Sequence, residues 1–227
     1  VGIADVSYVF YGAVYDYLIC PDEDLQPTAN LASSWWYMDG ETAASLPNPT
    51  DFSKLEHNSD PADWPLGSIW EYNLTQGVFW NDGNPFTADD VEFTINIQIG
   101  DNFMTFWAYQ PNTRWISHAE KVDDYKIRIF HANYDTNKPI SAPFGDTPSI
   151  PIMPKHIFKD KPTTYLAQDW DGVPAIGTGP FMGTKNLKSE IIAKQSVTLV
   201  RNPYYNDGIG QTQVNTKVEM TFARLSL

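Results

Sequence analysis

Apolar and polar positions alternate over residues 70–75, where Trp70, Tyr72 and Leu74 interleave with Glu71, Asn73 and Thr75. A period of two predicts a half-buried β-strand. Asn81-Asp82-Gly83 then supplies turn chemistry: Asn and Asp bond nearby backbone, and Gly accepts positive φ. After Pro85, Thr87 is placed to cap a helix, with Asp90 three residues on as a capping-box partner. Asp89, Asp90 and Glu92 put negative charge on the first turn, at the positive end of the helix dipole. Val91, Ile95 and Gln98, flanked by Phe93 and Ile97, give that helix a broad face from about Ala88 onward. A second helical period, through Val6, Phe10, Val14 and Tyr17, predicts a helix over 7–18 that Pro21 ends. Asp5 or Ser7 can cap it.

Further along, Lys126-Ile127-Arg128-Ile129-Phe130 alternates after an Asp123-Asp124 turn, which predicts a hairpin over 116–130. Val197 to Arg201 and Lys217 to Phe222 read as two more strands. Asp39-Gly40 marks a turn. Residues 41–65 carry four prolines and no period, as expected of a surface insertion. Residues 100–115 crowd Phe103, Met104, Phe106, Trp107, Tyr109 and Trp115 together. That segment reads equally as an aromatic wall for a ligand or as packing of the helix on the sheet. Residues 133–154 are rich in Pro, Gly and Ser and read as a loop.

Composition narrows the chemistry. The chain has 227 residues and a net charge of -13, which argues against nucleic acid and anionic lipid as partners. Cys20 is the single cysteine, so no internal disulfide forms; its apolar neighbours Leu18 and Ile19 predict a buried, inert thiol. The four histidines form no HExxH or Cys/His set, and His156 has no nucleophile or carboxylate cluster at a motif spacing. Asp22-Glu23-Asp24 lacks the Gly turn and distal Glu of a calcium loop and reads as a solvated turn. Gly177-Thr178-Gly179 is neither a phosphate loop nor a dinucleotide fingerprint; Pro180 and the strand after it favour a tight backbone crossing. No apolar run reaches membrane-spanning length. With no initiator Met and no signal pattern, the N-terminus reads as trimmed.

Residues 74–94 resemble the signature of the family 5 extracellular solute-binding proteins of ABC transporters, the oligopeptide, dipeptide and nickel binders. The family run is L-x-x-G-V-x-W-x-D-G-x-P-F-T-A-x-D-V-x-F-T. Leu74, Gly77, Val78, Trp80, Asp82, Gly83, Pro85, Phe86, Thr87, Ala88, Asp90, Val91, Phe93 and Thr94 stand at its places. The likeness continues in Asp5, Ser7, Val14, Tyr15, Asp16 and Leu18, and in Pro27, Leu31, Ala32, Ser34 and Trp35. It resumes in Ala119, Lys121, Val122, Asp123, Asp124, Tyr125 and Ile127, in the Pro-Lys-His of 154–156, in Gly177-Thr178-Gly179-Pro180-Phe181, and in Arg201-Asn202-Pro203-Tyr204-Tyr205. The Gly expected after the acidic turn is missing, since Asp22-Glu23-Asp24 runs into Leu25.

The resemblance implies an α/β (mixed α+β) fold, a periplasmic-binding-protein-like class II lobe with a mixed sheet and an additional α/β subdomain. Residues 1–39 and 170–227 would form the core lobe and 40–169 the inserted subdomain, with the second large lobe absent. It implies a substrate-binding component of an ABC importer, not an enzyme. Such a protein would capture oligopeptides outside the membrane and deliver them to permease subunits, without cofactor or metal. The full-length protein would be extracellular or periplasmic and tethered to the membrane. By the same resemblance Asp5, Val6, Ser7 and Tyr8 lie at the cleft mouth; Trp107 and Tyr109 are further candidates for ligand contact. An oligosaccharide-binding member of the family is the alternative ligand class, which exposed Trp faces would favour. A polysaccharide hydrolase is the alternative from another class and would need two facing carboxylates. A lobe that binds nothing by itself is a third reading.

Overall fold

The computed structural model describes residues 12–24, 26–38, 69–97, 116–131, 150–161, 175–183, 191–192, 196–205 and 217–221. The insertion expected at 41–65 and the aromatic-rich 100–115 lie outside them, as does most of the 133–154 loop.

Helical backbone at residues 12–14 stops at Val14, short of the predicted end at Leu18. The reason lies in where the next carbonyls go. Those of Val14, Asp16, Tyr17 and Leu18 accept N–H groups from Gly179, Ile152, Leu31 and Ala32, at 2.7–3.2 Å. Long-range partners have replaced the i→i+4 ladder, and Tyr17 and Leu18 go into the core as extended chain. Strands β1 (Ile19–Pro21) and β2 (Pro27–Ala29) form an antiparallel hairpin. Its acidic turn is exposed, and the Asp22 carboxylate accepts the N–H groups of Asp24 and Gln26.

Strands β3 (Ala32–Met38), β4 (Ile69–Leu74), β5 (Ile116–Asp123) and β6 (Lys126–His131) make an antiparallel sheet in the order β3-β4-β6-β5. Trp70 and Tyr72 of β4 face Ile129 and Ile127 of β6 on one side. With Leu74 they form the apolar face that alternation predicts. The opposite face departs from expectation, because it is buried as well. Ile69 and Phe130 are fully covered, and Glu71 and Arg128 are 4 and 5 % exposed. The two charges sit in register and pair at 2.7 Å, with Lys126 3.4 Å from the same carboxylate. Paired charge is what allows Glu71 inside, since an unpartnered carboxylate there would cost several kcal/mol or more.

Helix α1 (Ala88–Asn96) packs on β5, an edge strand of this sheet. Asn96 brackets Ala119, accepting its N–H at 2.7 Å and donating to its carbonyl at 2.9 Å. Glu92 accepts the N–H of Lys121 at 3.0 Å. Side chains of the helix thus take up edge groups that would otherwise face solvent. The Lys121 ammonium reaches Asp89 and Asp124, and Lys155 joins it on Asp89. These contacts hold the Asp89 carboxyl below its ordinary value, chiefly through the Lys121 and Lys155 hydrogen bonds.

The turn between β4 and α1 forms as predicted. Gly77 and Gly83 take φ of 75° and 88°, and the Asn84 N–H donates to Asp82. Asp90, 4 % exposed, has both carboxylate oxygens engaged. One accepts the Thr87 N–H at 3.0 Å, completing the capping box, and the Trp80 indole N–H at 3.3 Å. The other accepts the Lys155 N–H at 2.9 Å, where the one-turn helix α2 (Lys155–Phe158) begins. Burial raises the Asp90 carboxyl above its ordinary value, opposed by the N–H groups of Thr87 and Lys155. Thr94 adds a second tie, accepting the Met153 N–H at 2.8 Å.

Trp80, Phe86, Val91 and Ile95 join Tyr72, Ile127, Ile129, Leu18, Leu31, Ile150, Ile152 and Ile176 in one core. Each such large side chain, fully buried, contributes about 1.5–3 kcal/mol. The remaining strands, β7 (Phe181–Met182), β8 (Ile191–Ile192), β9 (Ser196–Arg201) and β10 (Lys217–Thr221), form a second four-stranded sheet around β9. Every pairing among the described residues is antiparallel.

Replacing Asp90 tests its place in this scheme. Asp90→Ala leaves three buried or half-buried N–H donors without their acceptor and is expected to lower the unfolding free energy by about 2–4 kcal/mol. Asp90→Asn, which keeps one acceptor, is expected to cost roughly half as much. Urea unfolding followed by Trp fluorescence measures both; a change under about 0.5 kcal/mol in the Ala variant would remove Asp90 from the centre of the fold.

Candidate functional site

Three distant stretches of chain meet at Gly177-Thr178-Gly179-Pro180. The Gly179 N–H donates to the Val14 carbonyl at 2.9 Å. The Asn81 N–H donates to the Gly177 carbonyl at 2.9 Å, and the Asn81 amide reaches Ala175 at 3.0 Å. Asn202 donates through its backbone to Pro180 and through its side chain to Gly179, each at 2.9 Å. The two glycines are required by proximity. A Cβ on Gly177 would lie 1.8 Å from the Val14 carbonyl oxygen, and one on Gly179 would lie 2.8 Å from it. The motif is thus the tight backbone crossing that the sequence suggested, with no vacant cradle for a phosphate.

Beside the crossing lie Asp16, Cys20 and Asn30. Asp16 retains some accessible surface, yet burial pushes its carboxyl up to about 6, against the Thr178 and Asn30 side chains, which lower it. The Asn30 amide donates to Cys20 Sγ at 3.0 Å. Burial and the nearby Asp16 charge push the Cys20 thiol up to about 11. It is half-buried rather than fully so as expected, and a thiol raised in this way has little thiolate with which to react.

His156 meets Asp82 at 2.8 Å and lies edge-on to the Trp80 ring. Burial opposes the charge on Asp82, but the His156 ring and the Asn84 N–H outweigh it and hold the carboxyl below its ordinary value. The pair joins the 81–84 turn to α2, beside Trp80, Asn84 and Asp90. The groups acting on Asp16 are Thr178 and Asn30, and Asp90 is engaged by three N–H donors.

The candidate contact residues Asp5, Val6, Ser7, Tyr8, Trp107 and Tyr109 all lie outside the described residues. Of the described tryptophans, Trp70 and Trp80 are buried, Trp35 is partly buried against the core, and Trp36 is 38 % exposed. Lys126 Nζ stands 5.7 Å from the Trp36 ring centre. Trp70 and Trp80 therefore serve packing, while Trp36, Tyr37, Phe79 and Tyr204 each keep more than a third of their surface exposed. In the sequence Asp16 stands only as one position of the family likeness, with no role of its own. Its burial follows from the unwinding after Val14.

Residues 26–222 match the model of the bacterial extracellular solute-binding proteins, family 5 Middle, and the chain belongs to that family. A Brucella ovis protein named as an ABC transporter peptide-binding protein is 29 % identical over 146 residues, which is 63 % of this chain and 25 % of that one. The oligopeptide-binding protein AppA of Bacillus subtilis is 25 % identical over 179 residues, 78 % of this chain and 27 % of its own. The chain thus spans about a quarter of the length of the curated relatives it matches.

Solved structures share the fold. AppA in complex with a nonapeptide superposes with a TM-score of 0.66 at 21 % identity, over 98 % of this chain and 36 % of AppA. A mannohexaose-bound periplasmic oligopeptide-binding protein of Thermotoga maritima gives 0.61 at 20 % identity, over 93 % of this chain and 32 % of that one. The fold is therefore the class II periplasmic-binding-protein type expected from sequence.

Two measurements test the crossing and its surroundings. Gly177→Ala is expected to cost at least about 3 kcal/mol or to abolish folding, through overlap with Val14. Gly77→Ala, which meets no atom within 4 Å, should cost only the roughly 1–2 kcal/mol of its positive φ. Equal costs in denaturant unfolding would remove the steric account. Cys20 should react with a disulfide reagent at pH 7.5 roughly 100-fold slower in the native chain than after unfolding, because so little of it is thiolate; comparable rates would contradict its shielding.

Proposed function

We propose that this chain is the N-terminal lobe of the substrate-binding component of an ABC importer, a two-lobed protein that captures oligopeptides outside the membrane and delivers them to the permease. The observation that carries the proposal is the family match together with the AppA likeness, since that relative was solved with a nonapeptide in place. Residues 1–39 and 170–227 form the core lobe and 40–169 the subdomain inserted in it. Asp5, Val6, Ser7 and Tyr8 line the cleft mouth, with Trp107 and Tyr109 as aromatic contacts. Binding is without chemistry: peptide engages both lobes, the hinge closes, and the closed form is the one the permease meets. The peptide backbone pairs with extended chain at the cleft, while looser pockets accept varied side chains. The full-length protein is tethered at the outer face of the membrane through a segment beyond these residues.

A second reading takes oligosaccharide as the ligand. It is favoured by the likeness to the Thermotoga maritima protein solved with mannohexaose.

A thermal-shift comparison of the full-length protein with the 227-residue chain, against peptide and oligosaccharide pools, separates these readings. Peptide at about 100 times its Kd stabilises a binder by about 2.7 kcal/mol, so a rise of several degrees is expected for the full-length protein. The 227-residue chain is expected to shift by less than a degree. A rise with oligosaccharide alone would install the second reading. A comparable rise in the isolated chain would overturn the requirement for two lobes, and turnover of either pool would overturn the transport role.

A further inference from the structure

Asn73-Leu74-Thr75 straddles the end of β4, and it is the one Asn-x-Ser/Thr triplet in the 227 residues without proline at its centre. That spacing is the acceptor pattern for an oligosaccharide on asparagine, provided the amide reaches the surface. Here it does. Leu74, 3 % exposed, goes into the core, and alternation sends Asn73 to the other face of the strand. Asn73 and Thr75 are partly exposed, and Ser33, Ser34, Gln76 and Gly77 around them are exposed. Register sets Asn73 between Ser34 of β3 and Lys126 of β6. An amide carries two N–H groups. One donates to the Ser34 hydroxyl at 3.0 Å, at the surface; a sugar on Nδ2 replaces the other and keeps this bond. The Thr75 hydroxyl donates to the Asn30 carbonyl at 2.7 Å, and β4 is paired on both sides. A transferase therefore reaches amide and hydroxyl together before β4 pairs, and folding leaves the finished glycan outside.

We propose that Asn73 is a site of N-linked glycosylation, with an oligosaccharide carried on a lipid diphosphate as the donor. In the transfer the bond from Asn73 Nδ2 to the sugar C1 forms, and the C1–O bond to the diphosphate breaks. The lipid diphosphate leaves with the bonding electrons, and the amide gives up one proton to a base of the transferase. The inference rests on the reading of the protein as one that works outside the membrane, and it is independent of which solute is bound. It also gives the exposed side chains of β3 a covering. Strand β3, at the end of the sheet order, carries no charge and no proline, and its Trp36 and Tyr37 are 38 and 46 % exposed. Trp36 stands two residues along β3 from Ser34, which makes it the diagonal neighbour of Asn73, about 7–8 Å away. A sugar on Asn73 lies within reach of the Trp36 ring, and its bulk keeps other chains from pairing with this strand.

The test is mass spectrometry of the full-length protein recovered from fractionated cells of its own source. Cleavage after Glu71 and Glu92 releases the peptide 72–92, which holds the whole triplet. Asn73 is expected to carry a glycan in most copies. Thr75→Val should lose it completely, while Thr75→Ser, which keeps both the pattern and the hydroxyl, should retain it. A bare Asn73 in protein recovered outside the membrane overturns the glycan and leaves the transport reading standing. Bare protein found only inside the cell overturns both. A glycan that persists in Thr75→Val overturns the assignment to this triplet. The native peptide decides the question by itself, whether or not the valine variant folds.

Discussion

Both oxygens of the Asp90 carboxylate are used, and the fold depends on where they point. One caps the helix that follows the turn and reaches the indole of Trp80 behind it. The other receives the N–H of Lys155, where α2 begins. A strand end, a helix start and a segment some 65 residues away are thereby fixed to a single side chain. Thr94, one helical turn on, repeats the tie by accepting the Met153 N–H. The apolar core fills the space these bonds define, with Trp80 and Phe86 at its centre.

The second constraint is closeness of backbone. The crossing at Gly177 and Gly179 brings the N-terminal stretch, the Asn81 turn and the Asn202 turn into mutual hydrogen bonding. Main chain packed on main chain leaves no volume for a side chain, which is why glycine stands at both places. Together the two constraints tie the N-terminal stretch, the Asn81 turn, the Ile150–Pro154 run and the Asn202 turn to one another.

Much of this was legible in the sequence because the signals were local. Alternation placed β4, β6 and β9; Thr87 and Asp90 marked the start of α1; Asn81-Asp82-Gly83 marked the turn. The crossing was legible as well, since Pro180 and the strand behind it excluded a phosphate loop. What stayed hidden depends on distant partners. The helical period through Val14 and Tyr17 overstated the first helix, because Leu31, Ala32, Ile152 and Gly179 compete for its carbonyls. Glu71 read as solvent-facing, because alternation reports only one apolar face and cannot show that Arg128 waits across the ladder. The candidate ligand contacts rested on likeness to a family rather than on any local pattern, and their positions fall outside the described residues.

The buried pair of Glu71 and Arg128 has a consequence for how β4 finds its partner. Apolar residues alone would tolerate several alignments of two hydrophobic strands. Sliding β4 by one residue against β6 would set Glu71 opposite Ile127 or Ile129 and turn its carboxylate toward Trp80 and Val91, while Arg128 would lose its acid on the other side. Such a slip strands two charges at once, each costing several kcal/mol. The ion pair therefore acts as a key cut for one alignment, and its main contribution is to penalise the wrong sheets rather than to strengthen the right one.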